Sequence, residues 1–139
     1  MSPELLTAVE GAIALMESWR GQLVRVDETL ARSTSDGWEY DRHGCTHSSL
    51  TLVVEYVGWR FSGSALMVHG VLSGRECGYE VSLDAVVAVR RPDEASVALK
   101  ERFGRAAERV SVFRLIGTAP DTEPCAAADG GASSVSGNT

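Results

Sequence analysis

Apolar side chains recur at steps of three and four over the first twenty residues, and at steps of two through much of the remaining chain. Leu5, Val9, Ala12, Met16 and Trp19 fall at spacings of 4, 3, 4 and 3, and Leu6 and Ile13 widen the stripe. That period places them on one side of a helix. Ser2 can cap the first free N–H groups, Pro3 has its φ preset for the first helical position, and Glu4 suits the positive end of the dipole. Arg20 and Gly21 supply a basic last turn and a left-handed stop. The pattern therefore predicts a helix over residues 3–20 whose apolar side packs on the rest of the chain.

From residue 22 the period changes. Leu23, Val24 and Val26 open a strand over residues 22–32, which runs into a turn-forming stretch from Ser33 to Gly37. Trp38 and Tyr40 start a second extended segment. Residues 49–57 form the clearest strand, with Leu50, Leu52, Val54 and Tyr56 on one face and Thr51, Val53, Glu55 and Val57 on the other, and so read as central. A turn over residues 58–63 holds Trp59, Arg60 and Phe61. Another strand apolar on both faces spans residues 64–72, and Ser73-Gly74-Arg75-Glu76 is a hairpin connection. Short strands over residues 79–83 and 85–90, with Asp84 as a kink, complete the β region.

Pro92, Asp93 and Glu94 then read as a helix start, and Leu99, Phe103, Ala106 and Val110 come after it at spacings of 4, 3 and 4. Gly104 in the middle of such a helix costs about 1 kcal/mol relative to alanine. Residues 111–116 fit either a last strand or a continuation of that helix. Residues 118–139 contain almost no large apolar side chain and cannot offset their ordering entropy, so a disordered, acidic, low-complexity tail is expected there.

The expected fold is one α+β domain over residues 1–117. It comprises an N-terminal helix, five or six mostly antiparallel strands and a C-terminal helix covering the sheet. The strand lengths and the Asp84 kink fit, by analogy of architecture, a small bent barrel of the SH3-like or Sm-like kind. An open sheet with both helices on one side is the alternative.

At 139 residues, 44% apolar and 23% charged, the composition is that of a globular chain with one core. There is no apolar run of about 18 residues, and Glu4, Glu10 and Glu17 interrupt the first helix where a secretory leader needs an unbroken apolar stretch. A cytoplasmic protein without membrane contact is expected. Cys45, Cys77 and Cys125 are odd in number and lack framework spacing, so three free thiols are expected. Lys100 is the only lysine beside twelve arginines, a bias pointing to a GC-rich bacterium or phage as the source. The net charge is −6; three acids and no base lie in the tail, leaving 16 acids against 13 bases in residues 1–117.

Among chemically capable side chains, His43, Cys45 and His47 alone cluster with metal-ligand chemistry. On an extended strand the two histidines stand about 13 Å apart, too far for one tetrahedral ion, so no metal and no cofactor is expected. Cys45 could instead be a nucleophile activated by a neighbouring histidine. His69 alternates with Ala65, Met67 and Val71 and reads as a core histidine. No G-x-S-x-G and no G-x-x-x-x-G-K occurs.

Trp38, Trp59 and Phe61 lie in or beside turns, where each could be a contact platform, and Arg60 joins Trp59 in a pair of the residue types enriched at interaction hot spots. Arg90, Arg91, Arg102, Arg105, Arg109 and Arg114 give the C-terminal part a basic cast. Asp93, Glu94, Glu101 and Glu108 interleave with them, and Glu101 with Arg105 has helical i,i+4 spacing. These observations favour a non-enzymatic binding or regulatory module acting through a protein partner or further copies of itself, with Trp59, Arg60, Trp38 and Phe61 as contact residues. A nucleic-acid-binding barrel is the first alternative, although the acidic charge removes the long-range attraction such binding rests on. A small metal- or thiol-dependent hydrolase centred on His43, Cys45 and His47 is the second.

Overall fold

The computed structural model describes residues 1–60 and 63–118, with the backbone alone at Arg60. Helix α1, Pro3–Glu17, starts where the sequence sets it: the Ser2 hydroxyl accepts a hydrogen bond from the Leu5 N–H at 3.1 Å. It ends three residues early, in a turn over residues 18–20, and Gly21 reverses the chain at φ 81°. Seven strands come next: β1 Gln22–Ala31, β2 Cys45–Arg60, β3 Ala65–Leu72, β4 Arg75–Ser82, β5 Val86–Arg90, β6 Ser96–Phe103 and β7 Ala107–Thr118. Short 3-10 turns stand at Arg42–Gly44 and Leu83–Ala85, the second at the kink expected at Asp84.

All ladders are antiparallel, in the order β4-β3-β2-β1-β7-β6-β5. The chain thus meanders outward to β4 and returns through β5 and β6, so that β7 pairs with β1. The two edge strands, β4 and β5, are consecutive in the chain, yet no ladder joins them among the described residues.

β2 serves two partners. Cys45 to Val53 pair with β1, and Val53 to Arg60 pair with β3, with a bulge between Val54 and Tyr56. A bulge inserts one residue and reverses the alternation. Leu52 and Val54 point into the core before it and Val57 after it, whereas Tyr56, expected on the Leu52 side, is 45% exposed. Gly70 of β3 lies at this crossing: a Cβ there would stand 2.2 Å from the Val53 carbonyl oxygen.

One continuous core results. Val9, Ala12, Ile13, Met16 and Trp19 from α1 and its C-terminal turn meet Val24, Val26, Leu52, Leu66, Val68, Val81, Val97, Leu99 and Phe113 from the inner face of the sheet. α1 touches β2 and β5. Among the described residues no helix is long and apolar enough to cross a membrane.

Three expectations are corrected. Among the described residues the barrel is not closed, and the sheet has seven strands instead of five or six. No C-terminal helix is present among the described residues: those predicted to form it make β6 and β7, and Gly104, at φ 68°, turns the hairpin between them. The spacing of Leu99, Phe103, Ala106 and Val110 is helical by coincidence, and the operative period is two. Val97, Leu99 and Glu101 face one side of β6 while Ala98 and Lys100 face the other, and all five are buried. The extended segment expected at Trp38 and Tyr40 forms no strand but bends across the sheet. Of the tail expected over residues 118–139, Thr118 closes β7 and the rest lies outside the described residues.

Candidate functional site

The gap between the sheet edges is the distinctive site. β5 pairs with β6 only as far as Glu101, so Arg102 and Phe103 run on with β7 as their one strand partner among the described residues. The free edge of β4 faces this end of β6 across an open cleft of about 500 Å³, lined by Tyr79, Glu80, Ser82, Glu101, Phe103 and Arg109. Leu30, at the end of β1, completes the rim. Leu30 and Phe103, two of the nine exposed large apolar side chains among the described residues, are 46% and 43% exposed beside a polar floor.

That floor is an ion-pair network. Arg109 of β7 stands across from Glu101 of β6 in register and grips it with two bonds, Nε to Oε1 at 2.7 Å and Nη2 to Oε2 at 2.9 Å. Arg109 Nη2 also donates to the Glu80 carbonyl at 2.7 Å, and the Ser82 N–H donates to Glu101 Oε2 at 2.7 Å. One side chain therefore supplies a donor and its partner an acceptor to the β4 edge, the two functions a neighbouring strand would provide. Arg109 Nη1 reaches Glu28 Oε2 at 3.3 Å, and the Tyr79 hydroxyl donates to the same oxygen at 2.8 Å while standing 2.7 Å from Ser111 Oγ.

Glu101 is fully buried, and a carboxylate so placed needs a charged partner and hydrogen bonds to offset its lost hydration. Burial by itself pulls the Arg109 guanidinium down, but the hydrogen bond and charge of Glu101, with Tyr79 and Glu28, outweigh it and hold the group above its ordinary value. Burial, helped by Glu28 against the opposing pull of Ser111 and Arg109, raises the Tyr79 phenol. Neither group is set to transfer a proton near neutral pH.

A second network ties segment 32–41 to the outer face. Lys100 Nζ donates to the carbonyls of Ser35 and Gly37. Glu108 Oε1 accepts from the Tyr40 hydroxyl at 2.6 Å and the Ser35 N–H at 3.0 Å, and Oε2 accepts from Arg102 Nε at 2.6 Å. Burial would raise the Glu108 carboxyl, but these bonds and the Lys100 charge together hold it below its ordinary value.

The residues singled out by sequence are scattered. Trp38 is half-buried in the strap formed by segment 32–41, its ring 4.9 Å from the Arg90 guanidinium carbon and 5.8 Å from Lys100 Nζ. Trp59, in β2 and not in a turn, is 50% exposed. Phe61 and the Arg60 side chain lie outside the described residues. His43 sits in the first 3-10 turn, its N–H capped by Asp41, while Cys45 and His47 open β2. Cys45 Sγ is 3.6 Å from His47 Nε2, and His47 Nδ1 is 3.0 Å from Thr29 Oγ1. Among the described residues no three His, Cys, Asp or Glu side chains converge as metal ligands. His69, read as a core histidine, stacks on Tyr56 at 5.4 Å between centroids, with Glu55 and Glu76 within 3.6 Å of its ring nitrogens.

Sequence reasoning missed Glu28, Tyr79, Glu101 and Arg109 as a group. The available signal was Glu101 alternating with Val97 and Leu99, which marks an inward position once the segment is read as a strand. Comparison of the chain with known protein families, curated proteins and solved structures returns no match.

Proposed function

We propose that this chain is a small non-enzymatic binding module that takes an extended segment of a protein partner into the cleft between β4 and β6. The observation that carries the reading is the β4 edge without a neighbouring strand, where the Glu80 carbonyl and Ser82 N–H at the cleft are bonded to the Arg109 and Glu101 side chains that an incoming strand would displace. Addition of a strand to an exposed sheet edge is a general mode of peptide recognition, in which main-chain bonds give affinity and pockets for alternate side chains give selectivity. Leu30 and Phe103 offer the apolar contact for such side chains.

The charges argue against a nucleic-acid ligand. Arg109 is committed to Glu101 and Glu28, Arg102 to Glu108, Arg114 to Asp93 and Arg25 to Asp27. Phosphate contacts need arginines free to leave such pairs, in a chain whose net charge is already −6. A second reading places the partner on Trp59, because a half-exposed tryptophan is a typical interface anchor.

Panning a displayed random-peptide library against the full chain tests both. The cleft reading expects enriched peptides with alternating apolar residues that lose binding, by more than about 2 kcal/mol, to the doubly substituted Leu30→Glu, Phe103→Glu protein. Both positions are exposed enough to tolerate charge. Peptides that bind this variant unchanged but fail on Trp59→Ala move the site to Trp59; a library that enriches nothing overturns both readings.

A further inference from the structure

We infer that Cys45 is a modification site, a thiol activated by His47 for exchange with small disulfides. Thr29, His47 and Cys45 form a relay on the outer face of the sheet, opposite to the cleft. Nδ1 lies 3.0 Å from Thr29 Oγ1 and Nε2 faces Sγ at 3.6 Å, an arrangement that either neutral tautomer of the imidazole satisfies. In the tautomer that the exchange requires, the ring proton sits on Nδ1 and Nε2 is left to accept the thiol proton. The backbone fixes the geometry, since Cys45 and His47 are two apart on one strand and Thr29 is the cross-strand neighbour of His47.

Access is open. β3 joins β2 only from Val53 onward, so this part of β2 pairs with β1 alone. Cys45 is half-buried and His47 exposed. Along the same face Asp27 is engaged by Arg25 and Ser49, and Glu108 by Tyr40, Arg102 and the Ser35 N–H. The carboxylates on that face therefore have partners other than the imidazole.

The chemistry selects the substrate class. Acyl transfer needs donors fixed on a developing oxyanion within an enclosed site, which an open sheet face does not provide. Thiol–disulfide exchange needs a thiolate and in-line access to one sulfur. His47 Nε2 takes the Cys45 proton and Sγ attacks one sulfur of R–S–S–R. The bond between the two substrate sulfurs breaks, Cys45–S–S–R forms, and the proton passes from His47 to the departing R–S⁻ or, where that thiolate is a weak base, to solvent.

Cys77 provides the internal comparison, its thiol raised by burial. The test uses the full chain carrying Cys125→Ser and dithiobis(nitrobenzoate) as the disulfide, with release of the coloured thiolate followed by stopped flow and the adduct located by peptide mass. Near pH 7 a free thiol is only a few per cent ionised, so Cys45 should react about tenfold faster than in His47→Gln. The ratio should shrink towards one near pH 9, where solvent ionises the thiol without help. Thr29→Val should give an intermediate rate, and Cys45→Ser should abolish the fast phase. Equal rates near pH 7, a ratio that persists at pH 9, or a fast adduct on Cys77 would each overturn the inference.

Discussion

Gly70 is demanded by contact, not by backbone conformation. Its absent Cβ leaves room for the Val53 carbonyl oxygen and Leu52 Cδ1, which an added Cβ would meet at 2.2 Å and 2.7 Å. Gly70→Ala must push β3 away from the bulge in β2, and we expect a loss of about 3 kcal/mol, read as a lower urea midpoint. Glu101 and Arg109 make a different demand, because removing one partner strands a charge. Arg109→Ala should cost about 3–5 kcal/mol, whereas Glu101→Leu with Arg109→Met should recover most of it, since apolar replacement of a buried pair is often neutral or better. Equal losses in the single and double variants would show that packing, not pairing, matters there. None of this was legible residue by residue. Glu101 precedes Arg105 by four positions and Arg109 by eight, and the helical spacing to Arg105 drew attention away from the partner across the hairpin.

α1 was readable because the N-terminal capping and the 3.6-residue period agree, although it ends at Glu17 with Ser18 as its C-cap, before the expected glycine stop. Val9, at 1% exposure, faces the core; Val9→Asp should therefore cost several kcal/mol by burying an unpaired charge, a change visible in thermal unfolding. β6 and β7 were misread for a physical reason: strands buried on both faces carry no polar alternation, and here the buried polar groups Lys100, Glu101 and Glu108 imitate a solvated helix face. The strap over residues 32–41 was equally hidden, since its anchors lie more than sixty positions away. Its dependence on Glu108 gives it a pH signature. A carboxyl held below its ordinary value of 4.5 contributes stability that is present above that pH and lost as pH falls through the lower folded-state value. Acidification below about pH 4.5 should therefore loosen the strap, reported by Trp38 fluorescence, and Glu108→Gln should flatten that response. A response identical in the variant would assign the acid transition to other carboxylates.

At the level of the whole molecule, the sequence carried the helix-then-strands order, the kink at Asp84 and the single core, but not whether the sheet closes. Closure depends on whether β4 meets β5, and what stands in its place is the Glu101–Arg109 pair reaching the β4 edge. Of the contact residues read from sequence, Trp38, Trp59, Arg60 and Phe61, all picked for their type in or beside turns, Trp38 is packed into the strap and Trp59 stands half-exposed on β2. The residues that line the cleft come from β1, β3, β4, β6 and β7, so only the tertiary fold assembles them. Nuclear magnetic resonance on the isotope-labelled chain titrated with a library-selected peptide tests strand addition at the β4 edge most directly. Amide shifts should concentrate at residues 78–82 of β4 and 101–103 of β6, with cross-peaks between the peptide backbone and the β4 edge. Shifts gathered instead around Trp59 and Tyr56, with residues 78–82 unmoved, would contradict a binding site in the cleft.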